Sequence, residues 1–408
     1  MKKVKLGEIA DVNKNTFLIN QFDEILYLDT SSVTKGVFDD FMHLTKNGVI
    51  PSRAKRAVKD KTIIYSTVRP NLEHYGIFEN PKDNIVVSTG FATIDVIDNL
   101  ADPKFLYYNL TQNKYTNALH TIATNNVSSY PSINPSDLEN LELEFPDFPT
   151  QTAIAQVLSS LDEKIELNNK INKELEAMAK QLYNYWFLQF DFPDKKGKPY
   201  KSSGGIMVYN ETLKREIPIG WSVIPLSHIL QENKETIKSD VRDLPSIDLS
   251  VMPNNSLCLN ERGNGNDFAA NKYILKKYNI LFGSIRPYLK KAGFSPFEGL
   301  LNSSVIVLHS IKSENYSFGL CTIVSEPLFN FAITRSNGNG TRMPTISGEE
   351  LLQFPVAFSS IYSKLFNQKV FKYWEYIANN INENIELAAF RDFLLPLLMN
   401  GQVKIKST

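Results

Sequence analysis

The sequence predicts an α+β fold of two similar strand-rich domains, each followed by a long helix, with the two helices packed as an antiparallel coiled coil in a pseudo-two-fold repeat. The first observation behind this is a recurrence. "TIIYSTVRPNLEHYGIF", Thr62 to Phe78, returns as "NILFGSIRPYLKKAGFS", Asn279 to Ser295, in the order apolar strand, small polar pair, apolar residue, Arg-Pro, turn, glycine. The second is that short β-branched and aromatic runs, separated by turn residues, surround both copies. The third is a helix-length segment with apolar residues at seven-residue spacing after each copy. Self-similarity at half-chain spacing takes precedence over element-by-element assignment. At 408 residues two or three cores are expected. The division read from the sequence is 1–150 for the first domain, 151–190 for the central helix, 191–215 for a connector, 216–360 for the second domain, and 361–408 for the C-terminal helix and tail.

Other segments follow the same plan. "VVSTGFATI" corresponds to "LLNSSVIVL", "SSYPSINPSDL" (Ser128 to Leu138) to "TRMPTISGEEL" (Thr341 to Leu351), and "VKLGEIADV" to "IPLSHILQE". In the first half "EILYLDTSSV", "KTIIYSTV" and "NIVVSTGFATIDVI" read as strands, and in the second "DLPSIDLSV", "YNILFGSI" and "SSVIVLHSI" do. "PKFLYYNLTQNKYTNAL", Pro103 to Leu119, reads as a helix. "DFPDKKGKPYKSSGG", Asp191 to Gly205, is rich in Pro, Gly, Ser and Lys and reads as an exposed connector. "REIPIGWSVIPL", Arg215 to Leu226, opens the second half.

The long helices carry the strongest periodicity. Ile154, Leu161, Asn168, Leu175 and Leu182 form one seven-residue series, with Val157 or Leu158, Ile165, Ile171 and Met178 in the alternate positions. Pro149 precedes the series and Thr150 reads as its cap. Phe366, Tyr373, Asn380, Leu387 and Leu394 repeat the series, and Val370 and Ile377 answer Leu158 and Ile165. Two such seams are best buried against each other. A polar Asn in a seam fixes register and partner at a cost in stability. Asn168 and Asn380 are each the midpoint of their series, so they are expected to meet across the pair. Parallel pairing would align them as well; antiparallel pairing is preferred because a repeat of domain plus helix then closes pseudo-symmetrically.

Composition bounds the function. Lys plus Arg equals Asp plus Glu at 44 each, so no whole-molecule field points to a polyanion. Two cysteines, Cys258 and Cys321, exclude a disulfide framework and fit a reducing, cytoplasmic compartment. No secretory signal or membrane span is read in the chain. Catalytic motifs fail one by one. The Asn-Pro-Pro-aromatic turn of amino-methyltransferases is missing. Pro146-Asp147 with Asp162-Glu163-Lys164 imitates a nuclease pattern, but its second part falls within the helix, where charge patterning is the ordinary reading. "GNGNDF", Gly263 to Phe268, is a fragment of a Gly-rich loop without its strand and helix. The five histidines lack ligand spacing, so no catalytic and no metal residue is assigned.

Local charge is asymmetric where the whole is not. Arg53, Lys55, Arg56, Lys59, Lys61 and Arg69 face one acid, Asp60, before Glu73. Between Phe268 and Phe297, Lys272, Lys276, Lys277, Arg286, Lys290 and Lys291 face none. Basic runs are usually solvated faces. Their recurrence beside the same Arg-Pro turn favours contact with DNA, with Lys and Arg on phosphates and Arg, Asn, Ser and Tyr on base edges. The remaining candidates are Ser66, Asn71 and the loop residues Asn125, Asn126, Ser128, Ser129 and Tyr130 in the first half. In the second they are Ser284, Tyr288, Asn337, Asn339, Thr341 and Arg342.

With these residues in view, the chain resembles the specificity subunit of a Type I restriction-modification enzyme over essentially its whole length. "LYNYWFLQFDFPDKKGKPYKSSGGIMVYNETLKREIPIGW", Leu182 to Trp221, resembles the family's junction after its central helix, and "FRDFLLPLLMNGQV", Phe390 to Val403, resembles its C-terminal end. The resemblance implies two target recognition domains and two helical spacers, each domain reading half of a split, asymmetric duplex site. By position, Arg69 and Arg286 would face DNA. It also implies that catalysis lies on partners: two methylation subunits holding S-adenosylmethionine, and restriction subunits using ATP and Mg. A seam of about 28 residues at about 1.5 Å rise spans about 40 Å, slightly more than a DNA turn of about 34–36 Å, so the helices read as a ruler. The alternative is a non-catalytic coiled-coil adaptor that binds proteins through the same loops.

Overall fold

The computed structural model describes residues 1–125, 131–237, 244–253, 256–263, 272–336 and 343–405. The chain forms two compact units, Met1–Glu163 with Ala388–Thr408, and Lys164–Leu387. Each unit takes one strand-rich domain and a piece of both long helices, so the division falls inside the helices rather than at their ends.

In the first unit an antiparallel sheet has the order Ala10–Val12, Phe91–Val96, Ile63–Ser66, Tyr75–Ile77. In the second unit Leu230–Glu232, Val305–Ser310, Ile280–Gly283, Ala292–Phe294 reproduce it strand for strand. A second sheet in each unit includes one parallel pair, Glu24–Leu28 with Ile85–Ser88 and Ser246–Ile247 with Gly299–Leu301. The strand before each Arg-Pro is apolar throughout because both of its faces are covered. Ile63 and Tyr65 pack with the helices while Ile64 enters a separate cluster. Ile280 and Phe282 likewise part from Leu281, as a period of two requires.

The helix expected over Pro103 to Leu119 is two helices, Pro103–Leu110 and Asn113–Asn125. Between them Thr111 donates its hydroxyl to the Tyr108 carbonyl and Gln112 its amide to that of Asn109, satisfying the carbonyls of a helix end. Tyr316–Ile323 and Glu326–Arg335 are the counterparts.

The central helix, Phe148–Tyr183, begins before Thr150. Asp147 is its cap, accepting the Thr150 N–H at 3.0 Å, and hydrogen bonding from the Thr150 side chain first and its N–H second holds the carboxyl below its ordinary range. Ile171 and Met178 do not belong to the seam; they are 41% and 50% exposed. The alternate series continues from Leu158 and Ile165 to Asn172 and Ala179, both buried. Ile171 and Met178 lie one residue earlier, about 100° around the helix. Apolar character drew them into the series where spacing excludes them.

The helices pair antiparallel. In the first unit Ile154, Ala155 and Leu158 share a cluster with Leu398 and Met399, and Arg391 reaches Asp162 at 2.6 Å. In the second unit Asn168 and Asn380 do not meet. Asn168 donates to Asn384 at 2.8 Å and to Glu383 at 2.8 Å, and Asn380 donates to Asn172 at 2.9 Å. Asn384 in turn donates to Asn169 at 2.9 Å. Each midpoint asparagine therefore pairs with one a helical turn beyond the other's midpoint. Exchanging the helices converts the Asn168–Asn384 pair into the Asn380–Asn172 pair, which is the pseudo-two-fold relation at side-chain level.

The stretch expected as an exposed connector is exposed at 195–198 and 201–204, but buried aromatic residues anchor it. Phe192 is buried against Trp221 and Tyr362, with ring centroids 5.0 and 4.0 Å away, and Tyr200 stacks on it at 4.7 Å. Met207–Asn210 and Arg215–Pro218 then form a hairpin, so the second repeat opens at Ser222–Pro225, later than Arg215. Composition indicated a loop, but the aromatic residues spaced through it anchor its base.

Replacing Asn384 by Ala should destabilise the chain by about 1–3 kcal/mol, because buried carboxamides lose partners; a lower urea midpoint measures this. Replacing Asn168 and Asn384 together by Leu should come close to neutral. Glu176 is buried, and burial raises its carboxyl pKa although the Leu257 N–H at 3.0 Å opposes the shift. A raised carboxyl pKa lowers stability as pH rises from the unfolded value through the folded one, and has no effect below both. Glu176→Gln should therefore melt higher than the parent at neutral pH and no higher near pH 4, at about the unfolded carboxyl value.

Candidate nucleic-acid interface

Arg69 lies at φ 48°, ψ 65° and Arg286 at φ 52°, ψ 63°. A left-handed non-glycine residue is uncommon, and one that precedes proline is doubly restricted. The residues closing the turns, Glu73 and Lys290, are left-handed too, at φ 55° and 52°. The surroundings of both turns impose this backbone. Arg69 N–H donates to the Pro131 carbonyl at 2.9 Å and Arg286 N–H to that of Pro344 at 2.8 Å. Two residues earlier the carbonyls of Thr67 and Ser284 accept from Ile133 and Ile346 at 2.9 and 3.0 Å. Helices Asn113–Asn125 and Glu326–Arg335 pack on the turns Pro70–Leu72 and Pro287–Leu289. The same sparsely populated backbone is thus held in place at two equivalent positions.

The hydroxyls behave differently from the sequence reading. Ser66 is buried and donates to the Val68 carbonyl of its own turn at 2.8 Å. The counterpart of Ser284 is Thr67. Thr67 gives its N–H and hydroxyl to the Gly90 carbonyl, and Ser284 gives both to the Ser304 carbonyl, all four bonds at 2.9 Å. Ser66 and Ser284 are therefore anchors rather than surface groups. Sequence alignment on Arg-Pro placed Thr67 opposite Ser284, but identity of residue type drew Ser66 forward instead.

The basic runs are split. Lys55 and Lys59 are exposed before the strand Ile63–Ser66, and Arg69 and Asn71 are exposed after it, with roughly 13 Å of strand between the two groups. Arg53 belongs with the turn, because its carbonyl accepts the Thr89 N–H at 2.8 Å next to Gly90. Arg56 is half-buried and reaches the Asn13 carbonyl at 3.4 Å. Lys61 pairs with Glu79 at 3.4 Å, and Glu79 with Lys104 at 2.8 Å. In the second unit Lys276 pairs with Glu235 at 3.1 Å and Lys277 lies 5.1 Å over the Tyr278 ring, both before the strand. After it, Lys290 pairs with Glu326 at 2.7 Å and Lys291 donates to the Leu249 carbonyl at 2.5 Å. Glu73, opposite Lys290 in the repeat, pairs with Lys35 at 2.8 Å.

What the two turns share is an arginine with an exposed neighbour two residues on, Asn71 in one and Tyr288 in the other. Leu72 and Leu289 are also exposed, which the sequence reading missed; their position after Asn71 and Tyr288 in matching turns was the available signal. An apolar side chain there suits a thymine methyl group. Asn125 ends its helix, exposed. Lys272 begins the strand Lys272–Leu275. Asn126, Ser128, Ser129, Tyr130, Asn337, Asn339, Thr341 and Arg342 lie outside the described residues. In the sequence most of them stand shortly before Pro131 and Pro344, the residues that clamp the two arginines.

The nuclease-like string has ordinary partners. Asp162 accepts from Arg391 and from the Tyr108 hydroxyl, the latter at 2.6 Å, Glu163 pairs with Lys104 at 3.0 Å, and Lys164 with Glu383 at 3.3 Å. Among the described residues no three His, Cys, Asp or Glu side chains gather as a metal site, and no helix is long and apolar enough to cross a membrane.

Residues 1–177 match the family of the Type I restriction modification DNA specificity domain. Along its length the chain is similar to specificity subunits of Type I restriction-modification systems. It is 26% identical to the Type I restriction enzyme HindI specificity subunit of Haemophilus influenzae, over 98% of this chain and 99% of that one. It is 27% identical to the MjaIX specificity subunit of Methanocaldococcus jannaschii, over 87% and 83% of the two chains. Its fold resembles the crystal structure of the Type-I restriction-modification system S subunit from M. genitalium, with TM-score 0.56 at 18% identity, covering 100% of this chain and 96% of that chain. The match of residues 1–177 to a DNA specificity domain favours DNA recognition over the adaptor reading.

If Arg69 is kept for its side chain and not for its backbone, Arg69→Gly should preserve stability, since glycine adopts a left-handed conformation freely. Arg69→Val should lower stability by about 1–3 kcal/mol. Thermal denaturation of the two variants compares them directly.

Proposed function

We propose that each Arg-Pro turn reads one half of a split duplex site, with Arg69, Asn71 and Arg53 serving the first half and Arg286 and Tyr288 the second. The observation that carries this is the repeated left-handed arginine, clamped by equivalent backbone bonds from Pro131 and Pro344. Asn125, Asn126, Ser128, Ser129 and Tyr130 in one domain, and Asn337, Asn339, Thr341 and Arg342 in the other, are proposed to join the turns at the bases. Lys55 and Lys59 would serve phosphates, where contacts position the duplex without reading it. Lys276 and Lys277 would do so only by exchanging Glu235 and the Tyr278 ring for DNA.

In this reading the chain performs no chemistry. It holds two methylation subunits, which carry S-adenosylmethionine and modify adenine, and it associates with restriction subunits that use ATP and Mg. A cytoplasmic location follows from the genomic substrate. The two buried, unbridged cysteines, Cys258 and Cys321, agree with a reducing compartment.

Equilibrium binding to a duplex carrying the site tests the assignment. Arg69→Gly and Arg286→Gly should each weaken specific binding by about 1–3 kcal/mol, as loss of a base contact does. Each variant should also become indifferent to base changes in one half-site only. Unaltered discrimination in both halves would refute the roles given to the arginines.

A further inference from the structure

We infer that the junction loop carrying Lys195, Lys196, Lys198 and Lys201 is a phosphate-binding surface for duplex DNA, outside both recognition domains. This deepens the DNA-reading function and rests on it. Net charge is zero, so the salt-dependent part of DNA affinity must come from local groups. In the second unit the lysines after the Arg-Pro strand are held within the chain, Lys290 by Glu326 and Lys291 by the Leu249 carbonyl. Lys276 is held by Glu235, and Lys277 lies over Tyr278. The same unit contains four exposed lysines at 195, 196, 198 and 201 that make no ion pair among the described residues.

The loop is built rather than slack. Asp194, the acid at its start, accepts the N–H groups of Lys196 and Lys198, both at 2.8 Å. These bonds, that from Lys198 first, hold its carboxyl below the ordinary range. The Asp194 N–H donates to the Lys198 carbonyl at 2.8 Å and closes the turn through Gly197, at φ 77°. At the other end Asp191 accepts the Ser202 N–H and hydroxyl at 2.7 and 2.6 Å, and Tyr200 donates its hydroxyl to the Ile206 carbonyl at 3.0 Å. A side chain at Gly205 would strike the Tyr200 ring, so that close approach requires glycine. Passive linkers need none of these bonds. In the sequence the element occurs once, between the repeats. Lysine is suited to this use as a compact point charge on a flexible stem, binding phosphate without sequence preference.

The test measures the affinity of the full chain for its site duplex, and for a scrambled duplex, across a potassium chloride series. Replacing Lys195, Lys196, Lys198 and Lys201 together by Gln should reduce the slope of log K against log salt by up to about 3.6, since each of the four phosphate contacts contributes about 0.9. The ratio of site to scrambled affinity should stay unchanged. Single variants Lys196→Gln and Lys198→Gln should each reduce the slope by under about 1 with an unaltered melting temperature, which keeps the inference testable should the quadruple variant misfold. A slope equal to that of the parent overturns it. So does an equal slope combined with loss of co-purifying methylation subunits, which would assign the loop to an acidic protein surface. A parent chain that fails to distinguish site from scrambled duplex would instead refute the DNA-reading function on which the inference rests.

Discussion

Two carboxamide pairs, Asn168 with Asn384 and Asn172 with the half-buried Asn380, fix how the two long helices face each other within the second unit. An apolar seam tolerates sliding by a turn, because Leu, Ile and Ala make acceptable contacts in several registers. A buried carboxamide does not, since each displaced donor or acceptor loses about 1–3 kcal/mol. Four asparagines therefore set the register as antiparallel within the second unit, where Lys164 pairs with Glu383. The helix pieces of the first unit pair antiparallel as well, with Arg391 on Asp162.

Within each strand-rich domain a second constraint operates. The strand before the Arg-Pro must be apolar on both faces, which leaves its end as the first place where polar groups can emerge. There the chain turns through a left-handed arginine that only its surroundings can hold, and the same three backbone groups hold it in both copies. The differences between copies lie at the exposed tips, Asn71 against Tyr288, and in the charges behind them, where Glu73 with Lys35 replaces Lys290 with Glu326. A shared frame with unlike tips is what two unlike half-sites demand.

Much of this is legible in the sequence. The strands on either side of each Arg-Pro, the paired helices and the polar midpoints all follow from periodicity, which burial enforces at every repeat. What escaped the sequence depends on tertiary neighbours. Ile171 and Met178 have the right chemistry one residue away from the right angle, so only the facing helix separates them from Asn172 and Ala179. Asn168 and Asn380 share a place in the pattern, but antiparallel helices mesh a turn apart. Ser66 and Thr67 are chemically alike, and the fold decides that Ser66 bonds within the turn while Thr67 bonds across to Gly90 as Ser284 does to Ser304. Charge is the least legible quantity. Lys61, Lys276 and Lys290 read as free in a basic run, yet each finds a carboxylate distant in sequence. The lysines of the junction read as part of a passive linker, although aromatic residues fix the base of their loop.

The central claim is that the two turns address different halves of one site. Photo-cross-linking tests it most directly, with a photoreactive phenylalanine placed at Asn71 or at Tyr288 and the cross-linked base located in a duplex carrying the site. The account predicts cross-links from position 71 confined to one half and from position 288 confined to the other. Cross-links from both positions to the same half, or from neither position with site binding intact, would contradict it.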